Sequence, residues 1–272
     1  MSLFQAIILA VIEGLTEFLP VSSTGHMIIG SSMMGIAELP FTKLFTVCIQ
    51  LGAILSVIVI YGKRLIPFGN DSKIVFDIYK KLLIAFLPAV AAGLLFKNLI
   101  DRLLENVIVV AISLLIGGII FILLDKWFSK TEENGLQKIP TDKKALKIGL
   151  FQVLAMIPGV SRSAATIIGG LSQGLNKKTA AEFSFFLAVP TMFAATVKDL
   201  YDFYHDGAML NKVEINLLII GNLVAFVVAL LAIKSFVSYL TKHGFRIFGY
   251  YRIVAGITIL ILYALGYNLS MI

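Results

Sequence analysis

The sequence predicts an all-α protein that crosses a membrane several times and contains an internal repeat. The chain has 272 residues, of which 58% are hydrophobic and 14% are charged, whereas an ordinary soluble domain has about 25% charged residues. Six apolar stretches are predicted to cross the roughly 30 Å of a bilayer's hydrocarbon, and the second of them is short, so we expect it to be extended at its ends. Two further apolar stretches are interrupted near their middle by a proline and a run of hydroxyl side chains, and these two resemble each other in sequence.

The eight apolar stretches follow one another in two similar series. The predicted crossings cover residues 44–61, 82–96, 107–124, 181–197, 215–233 and 249–267. The interrupted stretches cover residues 3–36 and 146–175, and each of them precedes three crossings. Neither is typical of one straight span, so we predict that both are re-entrant helix-break-helix pairs.

The distribution of basic residues predicts the orientation in the membrane. The net charge is +7, but the lysines and arginines lie in loops between crossings, so we predict no nucleic-acid partner. Seventeen of the 23 basic residues fall on one side of the predicted crossings, and the positive-inside rule assigns that side to the cytoplasm. Both termini are then expected outside. The seventeen are Lys63, Arg64, Lys73, Lys80, Lys81, Lys126, Lys130, Lys138, Lys143, Lys144, Lys147, Lys177, Lys178, Lys234, Lys242, Arg246 and Arg252.

The two interrupted stretches superpose when the chain is shifted along itself by close to half its length. "VSSTGHMIIG" at 21–30 then lies over "VSRSAATIIG" at 160–169, with five identities in ten positions. Because each half has an odd number of crossings, the second half should enter the membrane upside down relative to the first, and the two breaks should meet near the bilayer midplane. The predicted organisation is one membrane domain, 1–272, with a first repeat at 1–124, a cytoplasmic linker at 125–147 and an inverted second repeat at 148–272.

Glu13 and Glu17 stand one helical turn apart in the first interrupted stretch, so their carboxylates face the same side of a helix. At membrane depth such charges cost several kcal/mol unless something neutralises them. Three interpretations remain open: a structural pair satisfied by polar neighbours, a proton relay, and ligands for a hard divalent cation. A Mg²⁺ site often combines one or two carboxylates with substrate phosphate oxygens.

The run Ser22-Ser23-Thr24-Gly25-His26 follows these glutamates at the first break. Its hydroxyl and backbone N–H groups would lie at a helix N-terminus, which is a favourable position for an anion. Simple helix capping is the alternative for the hydroxyl residues. His26 is a candidate general acid, general base or nucleophile, and the alternative is a buried histidine whose hydrogen bonds are satisfied.

The second break, "PGVSRSAAT" at 158–166, has a comparable set of side chains. Ser161 and Ser163 supply hydroxyl donors, and Arg162 offers a planar guanidinium that matches phosphate oxygens. Arg162 could instead neutralise one of the two glutamates. Together the breaks contain carboxylates, a histidine, hydroxyls and an arginine, which are the components of metal-assisted phosphoryl transfer. At membrane depth the phosphate ester is expected to belong to a lipid.

These motifs resemble those of the bacterial undecaprenyl pyrophosphate phosphatase family, also called the bacitracin-resistance protein family. "EGLTEFLPVSSTGHM" is similar to the family's glutamate-rich motif with its Ser-Ser-Thr-Gly-His stretch, and "PGVSRSAAT" to its Pro-Gly-x-Ser-Arg-Ser-x-x-Thr motif. The resemblance covers essentially the whole chain. It implies an enzyme of the bacterial inner membrane that depends on a divalent cation, Mg²⁺ or Ca²⁺. Such an enzyme removes the terminal phosphate from the C55 isoprenyl pyrophosphate carrier of cell-wall synthesis. A homodimer is a further implication.

The resemblance also implies roles for individual residues. Glu13 and Glu17 would be the metal-associated pair. Ser23, His26, Glu17 and Arg162 would be the catalytic residues. The motif leaves open whether Ser23 or His26 is the nucleophile, and we favour Ser23 activated by His26 over direct attack by His26. The expected substrate-binding residues are Ser22, Thr24, Gly25, Gln50, Ser161, Arg162 and Ser163.

The sequence alone leaves one alternative to the phosphatase function. Inverted repeats with broken helices around an anion site are also typical of secondary transporters, so a transporter or flippase of a lipid-linked or small phosphate anion is the alternative. A transporter has no need of Ser23 and His26 six and nine residues after Glu17. We therefore expect a phosphatase whose site opens to the outer face. One departure from the family is Thr46, where some relatives carry an acidic residue, so any role of that carboxylate is missing here.

Overall fold

A computed structural model describes residues 1–66, 72–104, 106–128, 139–267 and 269, without the side chains of residues 101 and 104. These residues form α-helices with one short 3₁₀ turn at Leu154–Met156 and no β-strand, which confirms the all-α prediction. The helices are α1 (Leu3–Thr16), α2 (Ser23–Met33), α3 (Pro40–Cys48), α4 (Gln50–Leu65), α5 (Ser72–Leu95), α6 (Lys97–Leu104), α7 (Val107–Trp127), α8 (Asp142–Val153), α9 (Arg162–Ser172), α10 (Lys177–His205), α11 (Lys212–His243) and α12 (Arg246–Ala264).

Six helical segments of the described residues are long and apolar enough to cross a membrane, and they confirm the six predicted crossings. The first of them, Pro40–Leu65, consists of α3 and α4 with a break at Ile49. Most of the helices extend beyond the apolar stretch that predicted them, as where the crossing at 181–197 lies within Lys177–His205. The chain is therefore a multi-pass membrane protein.

The surface of α11 is that of a lipid-facing helix. Ile219, Leu223 and Val227 follow one another at intervals of four, and each residue is more than half exposed. Small residues of the same helix, Ala225 and Ala229, are fully buried, and the helix packs along α1 and α4. Large apolar groups outside and small residues at the helix contacts are typical of packing in a bilayer.

The two interrupted stretches form pairs of short helices. α1 and α2 have 14 and 11 residues, and α8 and α9 have 12 and 11. At about 1.5 Å per residue, none of them is long enough to cross a bilayer. α1 packs along α11, and α8 packs along α5. Each pair of short helices is therefore held by a long helix from the other half of the chain.

Helices α7 and α12 pack along each other and make the closest approach through glycines. A Cβ atom on Gly118 would lie 2.7 Å from the carbonyl oxygen of Gly249, and a Cβ atom on Gly249 would lie 2.7 Å from the carbonyl oxygen of Gly118. Two backbones come this close only where no side chain separates them. The glycine pair therefore fixes how far α12 enters the helix bundle.

Part of the predicted linker lies outside the described residues. α7 continues to Trp127 and α8 begins at Asp142, and residues 129–138 between them are not described, Lys130 and Lys138 of the cytoplasmic basic set included. The division of the chain into two repeats stays a prediction.

Candidate active site

The backbone turns at a serine in both breaks. Ser22 (φ 70°) and Ser161 (φ 74°) are the two non-glycine residues with positive φ in the described part of the chain, a conformation that costs of order 1–3 kcal/mol. Each serine caps the helix that follows it. Ser22 Oγ accepts from the Gly25 N–H at 3.4 Å, and Ser161 Oγ accepts from the Ala164 N–H at 3.3 Å. These two hydroxyls thus fill the capping role that the sequence left open.

A cavity of about 250 Å³ lies between the two breaks. Residues of the first break, of the second break and of α4, α5 and α10 line it, so segments from both halves of the chain contribute to one space. The lining residues are Glu17, Ser22, Ser23, Thr24, Gln50, Ala89, Gln152, Ala155, Met156, Pro158, Gly159, Ser161, Arg162, Thr191, Met192 and Ala195.

Glu17 connects the two breaks across this cavity. Its Oε2 accepts a hydrogen bond from Ser23 Oγ at 2.6 Å, and its Oε1 accepts one from Arg162 Nη2 at 2.9 Å. The side chains of Glu17 and Arg162 are only 8% and 12% exposed, so the ion pair is largely shielded from water and each charge needs the other. The structure therefore brings together three predicted site residues, with the Ser23 hydroxyl directed at a carboxylate.

Further contacts fix the plane of the Arg162 guanidinium. Nη1 donates to the carbonyl oxygen of Ser184 at 2.9 Å, and the guanidinium carbon lies 5.7 Å from the centroid of the Phe18 ring, within the range of a cation–π interaction. Arg162 also lines the cavity. It therefore pairs with a glutamate, as one alternative held, and at the same time presents a cation to the cavity.

Glu13 lies one turn before Glu17 in α1. It is 1% exposed, and its Oε1 has no hydrogen-bond partner among the described residues. A buried oxygen without a partner is costly, and a divalent cation held by both carboxylates would supply one.

The described residues contain no group of three His, Cys, Asp or Glu side chains suited to a metal. The remaining ligands of a cation at Glu13 and Glu17 would therefore be other oxygen atoms, among them substrate phosphate oxygens and water, as is usual for Mg²⁺. Glu13 Oε1, which has no partner, fits the predicted cation, whereas both oxygens of Glu17 already accept hydrogen bonds.

His26 has its partners outside the cavity. Its Nδ1 lies 2.8 Å from the carbonyl oxygen of Ser22, its Nε2 lies 2.6 Å from the Tyr251 hydroxyl, and the His26 and Tyr251 rings are nearly parallel at 5.4 Å. Because a carbonyl oxygen only accepts, Nδ1 carries the proton, and in the neutral ring Nε2 accepts from Tyr251. His26 thus holds the backbone at Ser22, while the partner of Ser23 is Glu17.

The other predicted substrate-binding residues occupy two kinds of position. Thr24, Gln50 and Ser161 line the cavity. Ser163 is fully buried and donates to the carbonyl oxygen of Leu19 at 2.9 Å, so it joins the two breaks to each other. Gly25 is also buried, and a Cβ atom there would lie 3.2 Å from the Leu114 side chain, so packing against α7 accounts for the small residue.

Arg252 is a residue next to the site that the sequence analysis assigned to a cytoplasmic loop. That assignment is wrong, because Arg252 lies within α12 and is fully buried. Its guanidinium donates to the carbonyl oxygens of Pro20 and Gly159, one in each break. The available signal was its position inside the predicted crossing at 249–267. The tyrosine beside it, Tyr251, was missed as the partner of His26.

Known proteins resemble this chain over nearly all of its length. Residues 6–258 match the family model described as "Bacitracin resistance protein BacA". A protein of Flavobacterium johnsoniae named "Undecaprenyl-diphosphatase" is 60% identical over 272 residues, which is all of both chains. Proteins of the same name from Bdellovibrio bacteriovorus and Aquifex aeolicus are 54% and 46% identical, over 100% and 94% of this chain and 100% and 97% of theirs. The chain belongs to the bacitracin resistance protein BacA family.

Proposed function

We propose that this protein is a membrane phosphatase that hydrolyses undecaprenyl diphosphate to the monophosphate and inorganic phosphate, and so returns the lipid carrier to cell-wall synthesis. The relatives carry the name of this activity, and the family is one of bacitracin resistance. The observation that carries the proposal is the contact of Ser23 with Glu17 and of Glu17 with Arg162. It unites a nucleophile, an acceptor for its proton and a phosphate-binding cation in one cavity.

Ser23 is the nucleophile in this proposal. Its Oγ attacks the terminal phosphorus, its proton passes to Glu17, and the bond between that phosphorus and the bridging oxygen breaks. The lipid monophosphate leaves with the bridging oxygen, and water then cleaves the phosphoserine to release inorganic phosphate. The 2.6 Å between Ser23 Oγ and Glu17 Oε2 is within reach of a general base. Glu17 therefore takes the role that the sequence favoured for His26.

Arg162 stabilises the charge that develops on the transferred phosphoryl group. Its guanidinium is held in place before substrate arrives, so little reorganisation is needed in the transition state. α2 and α9 begin at Ser23 and Arg162, two residues of the cavity wall, and helix N-termini attract phosphate through their free N–H groups. Ser161 and Thr24 add hydroxyl donors on the same wall.

Glu13 and Glu17 would hold the divalent cation, Mg²⁺ or Ca²⁺. The bound cation would neutralise pyrophosphate charge and orient the terminal phosphate. Both oxygens of Glu17 already have partners, whereas Oε1 of Glu13 has none. The role of Glu13 in this proposal is therefore that of a ligand.

We also propose an inverted-topology repeat with two re-entrant pairs, in a bacterial inner membrane with both termini outside. Equivalent packing supports it, because α1 lies along α11 as α8 lies along α5. In that orientation α5 and α10 run outward, and the cavity residues Ala89 and Ala195 lie about 9 and 15 Å from the outer helix ends, from the rise of an α-helix. The cavity would then extend from the midplane toward the outer face.

The activity is tested with purified protein in detergent and undecaprenyl diphosphate as substrate. We expect release of inorganic phosphate with Mg²⁺ or Ca²⁺, loss of that release in excess EDTA, and loss in Ser23→Ala. A folded, metal-supplied protein that releases no phosphate would contradict the proposal. Movement of lipid phosphate across vesicles without hydrolysis would favour the transporter alternative. The predicted homodimer is measured on the same preparation by light scattering.

The orientation is tested with single cysteines in a Cys48→Ala background. A membrane-impermeant maleimide should label Asp206→Cys in intact spheroplasts, and should label Lys143→Cys only after permeabilisation. The opposite pattern would reverse the topology and turn the cavity toward the cytoplasm.

A further inference from the structure

Arg252 carries a positive charge at membrane depth and binds backbone carbonyl groups. It is fully buried in α12. Its Nη1 donates to the carbonyl oxygen of Pro20 at 3.1 Å, and its Nη2 donates to those of Gly159 and Ser113 at 2.9 and 3.2 Å. A buried arginine in this setting is expensive, so its presence points to a function.

The acceptors of Arg252 occupy equivalent places in the two halves of the chain. Pro20 lies over Gly159 in the same superposition that places residues 21–30 over residues 160–169. Each carbonyl lies two residues before the serine with positive φ, Ser22 or Ser161. One guanidinium therefore binds the same backbone group in both breaks at once.

We infer that Arg252 is a positioning residue, which holds the two breaks against each other so that their functional side chains face one cavity. It is not among the residues that line the cavity, so it acts through the backbone and does not contact substrate. Ser23 and Arg162 each follow a clamped carbonyl by three residues. If Arg252 no longer bound one of these carbonyls, that break would shift. Ser23 and Arg162, which both bind Glu17, would then move relative to each other. The inference rests on the proposed hydrolysis for its kinetic readout.

The position opposite Arg252 suggests a direct test. Ser113 of α7 lies over Arg252 in the superposition of the two halves, so it is the equivalent position in the first half, and its carbonyl oxygen contacts the guanidinium. Gly117 makes room for Arg252, since a Cβ atom there would lie 2.3 Å from Nη2. Its equivalent, Gly256, is also a glycine and lies against α7. In the double variant, the space that the guanidinium of Arg252 leaves beside the two carbonyls would receive the guanidinium of an arginine at position 113.

The experiment moves the arginine from one side to the other. Arg252→Ser should lower kcat about a hundredfold, as expected for a misplacement of about 1 Å at a catalytic site, with KM changed less than threefold. The double variant Ser113→Arg/Arg252→Ser should have a kcat at least tenfold higher than Arg252→Ser, because an arginine can again bind both carbonyls. Arg252→Lys keeps the charge but replaces the planar guanidinium with a single ammonium group, so its kcat should lie between those of the wild type and Arg252→Ser. Arg246→Ser, at an exposed arginine of the same helix, is the matched control and should leave kcat unchanged.

A second readout does not depend on activity. Thr24 and Met156 line the cavity from opposite breaks, so a short thiol crosslinker should join Thr24→Cys to Met156→Cys in a Cys48→Ala background. Crosslinking should fall in Arg252→Ser and return in the double variant. If the crosslinking follows this pattern while the wild type releases no phosphate, the proposed hydrolysis fails and the positioning role stands. If Arg252→Ser keeps full crosslinking and full kcat, or if the folded double variant recovers neither, the positioning role is wrong.

Discussion

The interrupted stretches at residues 3–36 and 146–175 have similar backbones at their breaks and different chemistry. Ser22 and Ser161 adopt φ of 70° and 74° and cap the following helix through the same third N–H group. Side chains at the neighbouring equivalent positions differ: Glu13 lies over Gln152, Glu17 over Met156, Ser23 over Arg162 and Thr24 over Ser163.

The difference shows that two stretches of similar sequence share a backbone shape and divide the chemistry. The first stretch supplies the carboxylates and the candidate nucleophile, and the second supplies the guanidinium. Since neither break alone contains both an acid and a cation, the ion pair between Glu17 and Arg162 forms only where the two breaks meet. The variants below make one break more like the other or remove what distinguishes them.

The largest effect is expected when the first break loses its charge at Glu17. Glu17→Gln keeps the shape but removes the acceptor for the Ser23 proton and the partner of Arg162, so kcat should fall about 10²- to 10⁴-fold. Phosphate release under saturating metal measures it. Glu214→Gln is the matched control, because glutamine retains the oxygen that accepts from the Asn211 N–H in the cap of α11. Near-normal turnover in Glu17→Gln would make the carboxylate structural.

The second break is tested at Arg162. Arg162→Lys keeps the charge and loses the planar fork, so kcat/KM should fall roughly ten- to a thousandfold, corresponding to one or two charge-assisted hydrogen bonds in the transition state. Arg162→Ala should lose more. Arg246→Lys at an exposed position serves as the control. Full activity in Arg162→Ala would leave the first break to perform the reaction by itself.

Glu13→Gln gives both interrupted stretches a glutamine at equivalent positions, because Glu13 lies over Gln152 when the two stretches are superposed. If Glu13 is a metal ligand, the concentration of Mg²⁺ for half-maximal activity should rise tenfold or more, while kcat at saturating Mg²⁺ falls less. A metal titration of phosphate release separates the two quantities. An unchanged Mg²⁺ requirement together with a lower thermal stability would assign Glu13 to structure.

The smallest effect concerns the shared backbone. Alanine at Ser22 or Ser161 loses the cap and keeps the unfavourable φ, whereas glycine loses the cap but adopts positive φ freely. Each glycine variant should therefore be more stable than the matching alanine variant by about 1 kcal/mol, or about 2–4 °C in the thermal unfolding midpoint. Equal shifts at both sites would confirm that the breaks are energetically equivalent, and a difference at one site alone would show that they are not.

The sequence predicted the long helices and the two breaks well, because hydrophobic length and proline-hydroxyl runs are local signals. It did not indicate α6 (Lys97–Leu104), which is short and charged and follows directly on α5. Its residues are typical of an outer loop. Nothing in the apolar pattern distinguishes such a helix from a polar connection.

Contacts between distant segments could not be predicted in detail. The sequence placed Glu17, Ser23 and Arg162 in one site, and the structure joins them by hydrogen bonds. The partner of His26 is Tyr251, from the last helix of the described chain, and no periodicity or motif links the two. Arg252 was grouped with nearby loop charges because its helix begins only six residues earlier, at Arg246.

The clamp at Arg252 also has a consequence for the order in which the protein is made. Synthesis proceeds from the N-terminus, so Glu17, Ser23 and Arg162 all enter the membrane before α12 exists. Until α12 inserts, the carbonyl groups of Pro20 and Gly159 lack the donor that the finished fold gives them. Unpaired backbone groups in hydrocarbon cost several kcal/mol each. The nascent chain therefore contains Glu17, Ser23 and Arg162 early, but the cavity that they share is assembled only after α12 inserts.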